Sequence, residues 1–374
     1  MSNDLTGQLV EQVKTAIDSR CGITILGRGT KKHLGRDPHS RSAIDSTHSA
    51  HSNERVEVIC VADHSGIISY EPIELVMRAR AGTSLSEIDE ALAQHGQSLA
   101  CDPARFNGNA SIAGSLATNQ AGPGRPWHGS LRDHVLGVHL INGNAELLRF
   151  GGQVMKNVAG YDVSRLQAGA MGTLGIITEI SFKVMPKPTA EITLTQSASI
   201  DEAIALMTAF AHNPKPLSGA CWVDGRVYLR LSGAQSAVDG SVRQWLGDVM
   251  PNTEAMHFWH HLRERQLPFF STRALQQPLW RFSLNSATPA FFPEGDWLID
   301  WAGGLRWLKS DMDADNIYEW AKAHQADVCL YHGGDRQGDI VALPGQTVKR
   351  LQTNLKRAFD PHHLFNIGRL YSWL

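Results

Sequence analysis

The sequence predicts a two-domain α+β protein, and three observations carry that expectation. The chain has 374 residues, the length of two ordinary domains. Amphipathic helices alternate with short apolar strands from end to end. Pro186-Lys187-Pro188 interrupts the pattern at mid-chain, because proline fixes its own backbone and restricts the residue before it. The expected domains are residues 1–188 and 189–374, with 345–374 returning toward the first.

Composition narrows the function classes. Hydrophobic residues make up 42% and charged residues 19%, as in ordinary globular proteins. Formal net charge is −2 and no basic run occurs, which argues against nucleic acid, whose phosphates need clustered Lys and Arg. No stretch approaches the roughly 18–20 apolar residues of a membrane span. The start, MSNDLTGQLVEQVK, lacks the basic-then-apolar layout of a signal peptide, so the cytoplasm is the default compartment. Cys21, Cys60, Cys101, Cys221 and Cys329 are scattered and form no C-x-x-C pair. They cannot build a local iron–sulfur or zinc cluster, and an odd count suits free thiols.

Taken in order, Leu5, Leu9, Val13 and Ile17 recur every four residues and mark a helix stopped by Gly22. Ile23–Leu26 is a short strand that runs into Gly27-Arg28-Gly29-Thr30. Strand into glycine turn is how many phosphate loops begin, and it is also how many surface turns look. Residues 36–55 are polar and irregular, and His48 and His51 there read as solvated. Val56–Ala62, Ile67–Tyr70 and Leu75–Ala81 are strands. Ser84 to Glu87 forms a capping box for a helix carrying Leu85, Ile88 and Leu92, closed by Gly96. Val135–Ile141 and Glu146–Phe150 form a hairpin, with Asn142-Gly143 as its type I′ turn. Gly175–Met185 alternates as a strand. Beyond the proline pair come a strand (191–195), a helix (200–211), a hairpin at Asp224-Gly225 and a helix (234–248). Strands at 279–284 and 297–308, a helix at 314–325 and a strand at 327–331 follow. Two β-α-β-like rounds predict a ferredoxin-like antiparallel sheet. A basic helix, 348–358, precedes the last residues. Trp280, Trp297, Trp301, Trp307 and Trp320 concentrate here and read as core more than interface.

The chemistry is expected where bulk is missing. Residues 101–129, CDPARFNGNASIAGSLATNQAGPGRPWHG, are dense in small side chains, and nothing between Asn107 and Gly124 is charged. Small residues let backbone approach a ligand and expose amide N–H groups to it. Ser111 to Asn119 reads as a capped helix start whose N–H groups and dipole suit a pyrophosphate. It reads equally as a tightly packed helix.

The motifs Gly27–Lys31, SIAGSLATN (111–119) and GTLGIITE (172–179) occur in that order. Together they resemble the FAD-binding domain of the vanillyl-alcohol oxidase/p-cresol methylhydroxylase (PCMH) superfamily. Within it, GPGRPWHGSLRDHVLGVHLING (122–143), the stretch 148–188 with KNVAGYD (156–162), and FDPHHLFNIGRLY near the end resemble the E subunits of bacterial glycolate oxidase (glycolate dehydrogenase). The resemblance implies a PCMH-type FAD-binding fold over 1–188, followed by a ferredoxin-like α+β domain that caps or docks. It implies non-covalent FAD, glycolate or D-lactate as the small 2-hydroxy-acid substrate, and electron transfer to an iron–sulfur subunit and quinone. It further implies a paralogous FAD-containing catalytic subunit as partner, with at most peripheral membrane association through the complex at the inner face of the cell membrane.

Carried over residue by residue, Ile25, Gly27, Gly29 and Thr30 would lie on the pyrophosphate. Pro103, Ser111, Ile112, Ala113, Gly114 and Ser115 would line the diphosphate and ribityl side. Ala117, Thr118 and Asn119 would approach the isoalloxazine, and Ile176, Ile177 and Thr178 would pair with adenine or ribose. Tyr161 and Asp162 are candidates to pack over the flavin, and Lys156 to place a charge near its N1–C2 edge. The sequence departs from the pattern at Arg28, which is either strained or able to reach a phosphate, and at Ile367, where the family has proline. Tyr331-His332-Gly333-Gly334-Asp335 is a degenerate fragment of the His-rich cluster of the catalytic sister subunit, and no catalytic residue or metal ligand is assigned. The adjacent pairs His260-His261 and His362-His363 point apart and read as surface or packing residues. Two readings stay open: a dehydrogenase with its own substrate site, and an accessory or scaffold subunit beside a catalytic paralogue. A flavin enzyme of the enolpyruvyl-reductase branch is a third, without a feature that asks for NADPH.

Overall fold

The computed structural model describes residues 3–37, 56–152, 162–213, 215–271, 277–290 and 294–374. Helix α1 (Thr6–Ser19) buries Leu9, Val13 and Ala16, as its four-residue spacing requires. It ends at Arg20 rather than Gly22. Arg20 takes the left-handed conformation (φ 53°), and its N–H closes on the Ala16 and Ile17 carbonyls. Those are the carbonyls a helix end leaves orphaned, and an arginine serves here where glycine is usual.

Strand β1 (Gly22–Leu26) pairs in parallel with β2 (Val56–Cys60). The C-terminal segment lies on the other side of β1. Ile23 N–H donates to Leu364 O at 2.6 Å, and Asn366 N–H donates to Ile23 O at 2.8 Å.

The next sheet has five antiparallel strands: β3 (Ile67–Glu71), β4 (Val76–Arg80), β5 (Val135–Ile141), β6 (Leu147–Gly151) and β7 (Ile176–Lys183). Their order is β3-β4-β7-β5-β6, so β7 is central. That position explains why both of its faces are buried, although its sequence alternates. Helices α2 (Leu85–Ala93) and α3 (Ile112–Thr118) set Leu85, Ile88, Leu92, Ile112 and Leu116 into the same core. Ser84 caps α2 by accepting the Glu87 N–H at 3.1 Å.

The β5–β6 hairpin forms, but its turn is not type I′. The positive φ falls on Ala145 (58°), and Asn142 Oδ1 accepts from the N–H groups of Asn144 and Glu146. Gly143 answers a tertiary demand instead, since a Cβ there would lie 2.7 Å from Asp360 Cα.

Past Met185–Pro186 the chain builds one eight-stranded antiparallel sheet. Its strands are β8 (Ala190–Ser197), β9 (Leu217–Val223), β10 (Arg226–Gly233), β11 (Asp248–Val249), β12 (Leu279–Ser283), β13 (Asp296–Asp300), β14 (Leu305–Lys309) and β15 (Asp327–His332). The order is β11-β8-β10-β9-β13-β14-β12-β15. The run expected as one strand over 297–308 is a hairpin, β13–β14, folded at Trp301–Gly303. The helix expected over 234–248 stops at Val242. A helix absent from the sequence expectation spans Asn252–Glu264 and buries Ala255, Phe258, Trp259 and Leu262. Its helical period is present in the sequence but diluted by three histidines, His257, His260 and His261. Trp280, Trp301 and Trp307 are buried in the core, while Trp297 and Trp320 are partly covered.

The final helix, α4 (Gln346–Phe359), is anchored by Lys356, which is 1% exposed. Lys356 Nζ donates to Thr173 O (2.7 Å), Asp360 Oδ2 (2.7 Å) and Phe365 O (2.8 Å). Asp360 also accepts the Leu364 and Phe365 N–H groups. This buried pair binds the C-terminal segment to the loop before β7. Lys356→Met would leave the carboxylate buried without its cation, and denaturant unfolding should show a loss of about 3–5 kcal/mol. Lys356→Met combined with Asp360→Leu should cost less than the sum of the two single changes. Additive losses would show that the pair is not coupled.

Candidate functional site

A cleft of about 510 Å³ opens between the loop after β1, helix α3 and the C-terminal residues. Small-molecule sites occupy about 300–1,000 Å³. Three walls define it.

The loop 27–37 is the first wall. Within the described chain, no backbone N–H from Gly27 to Lys31 donates a hydrogen bond, although all five residues line the cleft. Gly29 takes φ 74°, the left-handed conformation that turns successive amides toward one side. Such a row of unpaired donors is an anion cradle.

Helix α3 is the second wall, through Ala113, Gly114, Ala117 and Thr118. A Cβ on Gly27 would lie 3.2 Å from Ser111 Oγ, and one on Gly114 would lie 3.0 Å from it. The expectation that the amides of this helix are free is not met. Ile112 N–H donates to Thr83 O, Ala113 N–H to Ala81 O and Gly114 N–H to Ser111 Oγ. The helix is short and packed into the sheet, so its small residues contribute room rather than donors.

The third wall joins Met171, Gly172, Gly175 and Ile177 to Asn366, Ile367 and Arg369. Asn366 ties it together. Its Oδ1 accepts the Ile25 N–H at 2.8 Å, and its Nδ2 donates to Met171 O at 2.6 Å. Gly172 (φ 72°) permits this, because a Cβ there would sit 2.7 Å from Asn366 Nδ2.

The cleft is electropositive. Arg28, Lys31, Lys32, Arg36, Arg336 and Arg369 line it against a single acid, Asp37. Most of these guanidinium groups are held by carbonyls, which fix them without cancelling their charge. Arg36 donates to Gly338 O, Gln337 O and Gly368 O. Arg369 donates to Arg36 O and Lys32 O. Burial lowers the Lys31 ammonium to about 8, opposed by the charge of Glu264. Burial, aided by the charges of His332, Arg336, Lys31 and Arg369, lowers His33 to about 4, so its imidazole is neutral at pH 7.

Of the residues singled out in the sequence, Ile25, Gly27, Gly29, Thr30, Ser111, Ala113, Gly114, Ala117, Thr118 and Ile177 converge on this cleft. Pro103, Ile112, Ser115, Asn119, Ile176 and Thr178 do not line it. Ile112 and Ile176 are fully buried core residues. Ser115 Oγ donates to Ser111 O and receives Lys31 Nζ at 3.3 Å. Asn119 is the left-handed cap of α3. Thr178 spends its hydroxyl on His139 O and its carbonyl on Ala81 N–H, because β7 is central rather than an edge. Pro103 O accepts from Arg105 in a buried network. Arg28 is not strained, since its φ is not positive, and its guanidinium binds Gly82 O (2.9 Å) and Asn109 Oδ1 (3.0 Å). Asp162 is an exposed helix cap accepting the Arg165 N–H, while Lys156 and Tyr161 lie outside the described residues. His362 and His363 are exposed, and His260 contacts Arg263 on a helix surface. Lys31, His33, Arg336, Asn366 and Arg369 have no role assigned from sequence. Asn366 and Arg369 reach the cleft only through the return of the C-terminus to β1.

A family model for an FAD binding domain matches residues 6–151. The chain is 40% identical over 371 residues to the glycolate oxidase subunit GlcE of Escherichia coli (strain K12), covering 99% of each. It is 33% identical over 128 residues to the glycolate oxidase subunit GlcD of Bacillus subtilis (strain 168), covering 34% of this chain and 27% of that one. Among solved structures, an alkyldihydroxyacetonephosphate synthase superposes with a TM-score of 0.61 at 15% identity. That match covers 96% of this chain and 74% of the synthase, and it shows the fold. FAD is therefore the cofactor against which the cleft is tested, and the cleft fits it. Its unpaired amides and cations suit a diphosphate, and the spaces at Gly27, Gly114 and Gly172 are ones a Cβ would fill.

Gly27→Val should close the cleft against Ser111 and weaken FAD binding by on the order of tenfold or more, equal to about 1.4 kcal/mol per decade. Absorbance at the flavin band against protein absorbance checks this, with circular dichroism confirming the fold. For Lys31 the sign follows from its lowered value. In the free protein the ammonium is charged below about 8 and neutral above it, so anion affinity should fall as pH rises through about 8. Lys31→Met should weaken FAD binding at pH 7 and remove that step. A step that survives the substitution would clear Lys31 of the role.

Proposed function

We propose, from the premise that the chain belongs to the family of the glycolate oxidase subunit GlcE, that it is the flavin-holding subunit of a complex oxidising glycolate, or D-lactate, to the 2-oxo acid. The observation that carries this reading is the row of unpaired amides from Gly27 to Lys31 in a cation-lined cleft. Residues 1–188 would hold the cofactor and 189–374 would cap or dock, with 345–374 returning to complete the cleft. When bound, FAD supplies the two-electron acceptor for the hydroxy acid. The chain's own residues bind and orient. The amides of Gly27, Gly29 and Thr30 would grip the diphosphate, and Lys31 would add charge beside it. Gly114 and Ala117 would leave space for the ribityl chain, and Ile177 would border the adenine side. An iron–sulfur subunit and quinone would take the electrons onward.

A second reading is favoured by how the fragment Tyr331–Asp335 is used. Tyr331 packs edge-on against Trp307 (4.7 Å), and Asp335 Oδ1 caps a turn by accepting the Gln337 N–H at 2.8 Å. His332 faces His33 at 6.0 Å between ring centroids. None of these contacts builds a metal or proton-abstraction cluster among the described residues, which supports an accessory subunit whose paralogue carries the oxidation chemistry. The two readings part in one experiment. The purified chain should be yellow, and anaerobic glycolate should leave it yellow if a paralogue does the oxidation. Bleaching by glycolate without partners would establish an independent dehydrogenase, and a colourless chain that takes up no added FAD would overturn the flavin reading.

A further inference from the structure

Beyond the cleft, where loop 27–37 meets the eight-stranded sheet, the structure gathers arginines around one tryptophan. The Arg125 guanidinium lies 4.7 Å from the Trp301 ring centroid, and that of Arg281 lies 5.3 Å from it. Arg265 lies 4.9 Å over Trp307, and its Nε is buried without a hydrogen-bond partner. Among the described residues, none of the three forms an ion pair with a carboxylate. The nearest acids are otherwise engaged. Asp133 accepts the Ser130 N–H (2.8 Å) and hydroxyl (3.0 Å). Asp300 is 1% exposed and accepts the Trp301 N–H at 2.7 Å, and burial pushes its carboxyl up to about 7. Among the described residues, the three guanidinium groups thus carry positive charge with no carboxylate in an ion pair with them.

Trp301 itself is held at a cost. Trp301 (φ 53°) and Ala302 (φ 55°) are both left-handed, a conformation that strains a non-glycine residue. What fixes it is a bond across the molecule, Trp301 Nε1 to Gly122 O at 3.0 Å. That bond brings the small-residue segment, with Gln120 and Arg125, onto the sheet. The Tyr331 hydroxyl donates to Gln120 Oε1 at 3.4 Å, and His33, which lines the cleft, lies 5.6 Å from the Tyr331 ring. The arginine cluster and the cleft are therefore joined through Tyr331 and His33.

We infer that Arg125 and Arg281, on either side of the Gly122–Trp301 junction, form with Tyr331 and Arg265 a binding site for the carboxylate of a small hydroxy or oxo acid. Planar guanidinium groups suit a carboxylate geometrically, and an aromatic floor keeps them extended and partly dehydrated. The site deepens the reading above and rests on it for the identity of the acid. Under that reading this chain recognises substrate or product itself, in whichever subunit the oxidation occurs.

Isothermal titration of the purified chain with glycolate and with oxalate, against sodium chloride at equal ionic strength, tests the site without relying on the flavin. The expected result is saturable heat with both acids. Arg125→Ala and Arg281→Lys should weaken it on the order of 10- to 100-fold, as for loss of a charge-assisted hydrogen bond, and Arg243→Ala, an exposed control, should leave it unchanged. Arg281→Lys keeps the charge within the sheet, so a loss there reads the guanidinium fork rather than unfolding. A flavin-loaded chain that shows no saturable heat overturns the site and leaves the flavin reading standing. A colourless chain that binds both acids through these arginines upholds the site while the flavin reading fails. Binding that survives both substitutions overturns the assignment.

Discussion

At three places around the cleft there is no volume for a side chain, and the rest of the molecule is arranged to keep it so. Gly27 and Gly114 close on one hydroxyl, that of Ser111, from opposite sides. Gly172 closes on the Asn366 amide, which in turn holds the end of β1 through Ile25. At each place a polar side chain packs directly on the glycine, where a Cβ would crowd it. The space left over is lined by the loop 27–31, whose backbone N–H groups have no partner among the described residues. The approaches at Gly27 and Gly172 are made between segments far apart in sequence, so they exist only when helix α3 and the C-terminus are in place.

Electrostatics follow the same plan. The arginines that line the cleft are fixed largely by carbonyl oxygens, with one carboxylate, Asp339, 3.8 Å from Arg36. A carbonyl orients a guanidinium but does not neutralise it, so the positive field is preserved for a ligand. Lys356 shows the opposite arrangement. It is buried away from the cleft lining, and it is paired directly with Asp360. This tightly buried Lys–Asp pair anchors the segment that delivers Asn366 and Arg369.

The second half of the chain is fastened to the small-residue stretch by a different network. Glu264, 5% exposed, accepts the N–H groups of Arg105 and Phe106. Asp102 receives Arg105 and Arg263 at 2.9 Å each. Left-handed turns at Asp102, Phe106 and Asn107 present those amides to the carboxylate. The same contacts carry Gln120, Gly122 and Arg125 to Trp301. Rigid attachment there sets the distance between the cleft and the arginine cluster.

The sequence by itself determined the fold class, the FAD-binding motifs and most strands and helices, because those rest on local periodicity and on glycine patterns. Ten of its candidate residues meet at the cleft. It overstated the amides of α3, since whether an N–H is free depends on whether a carbonyl such as Ala81 O arrives from a distant strand. It placed Gly143 in a turn, although the need for glycine there comes from Asp360, more than 200 residues away. It ran one strand through Trp301, where an aromatic residue takes a left-handed turn held by Gly122, which receives its indole N–H, and by Asp300, which receives its backbone N–H. Only the tertiary structure decided that Asn366 and Arg369 reach the cleft and that Arg125 and Arg281 share a tryptophan. Such juxtapositions follow from packing between distant segments, and no local pattern of residues encodes them.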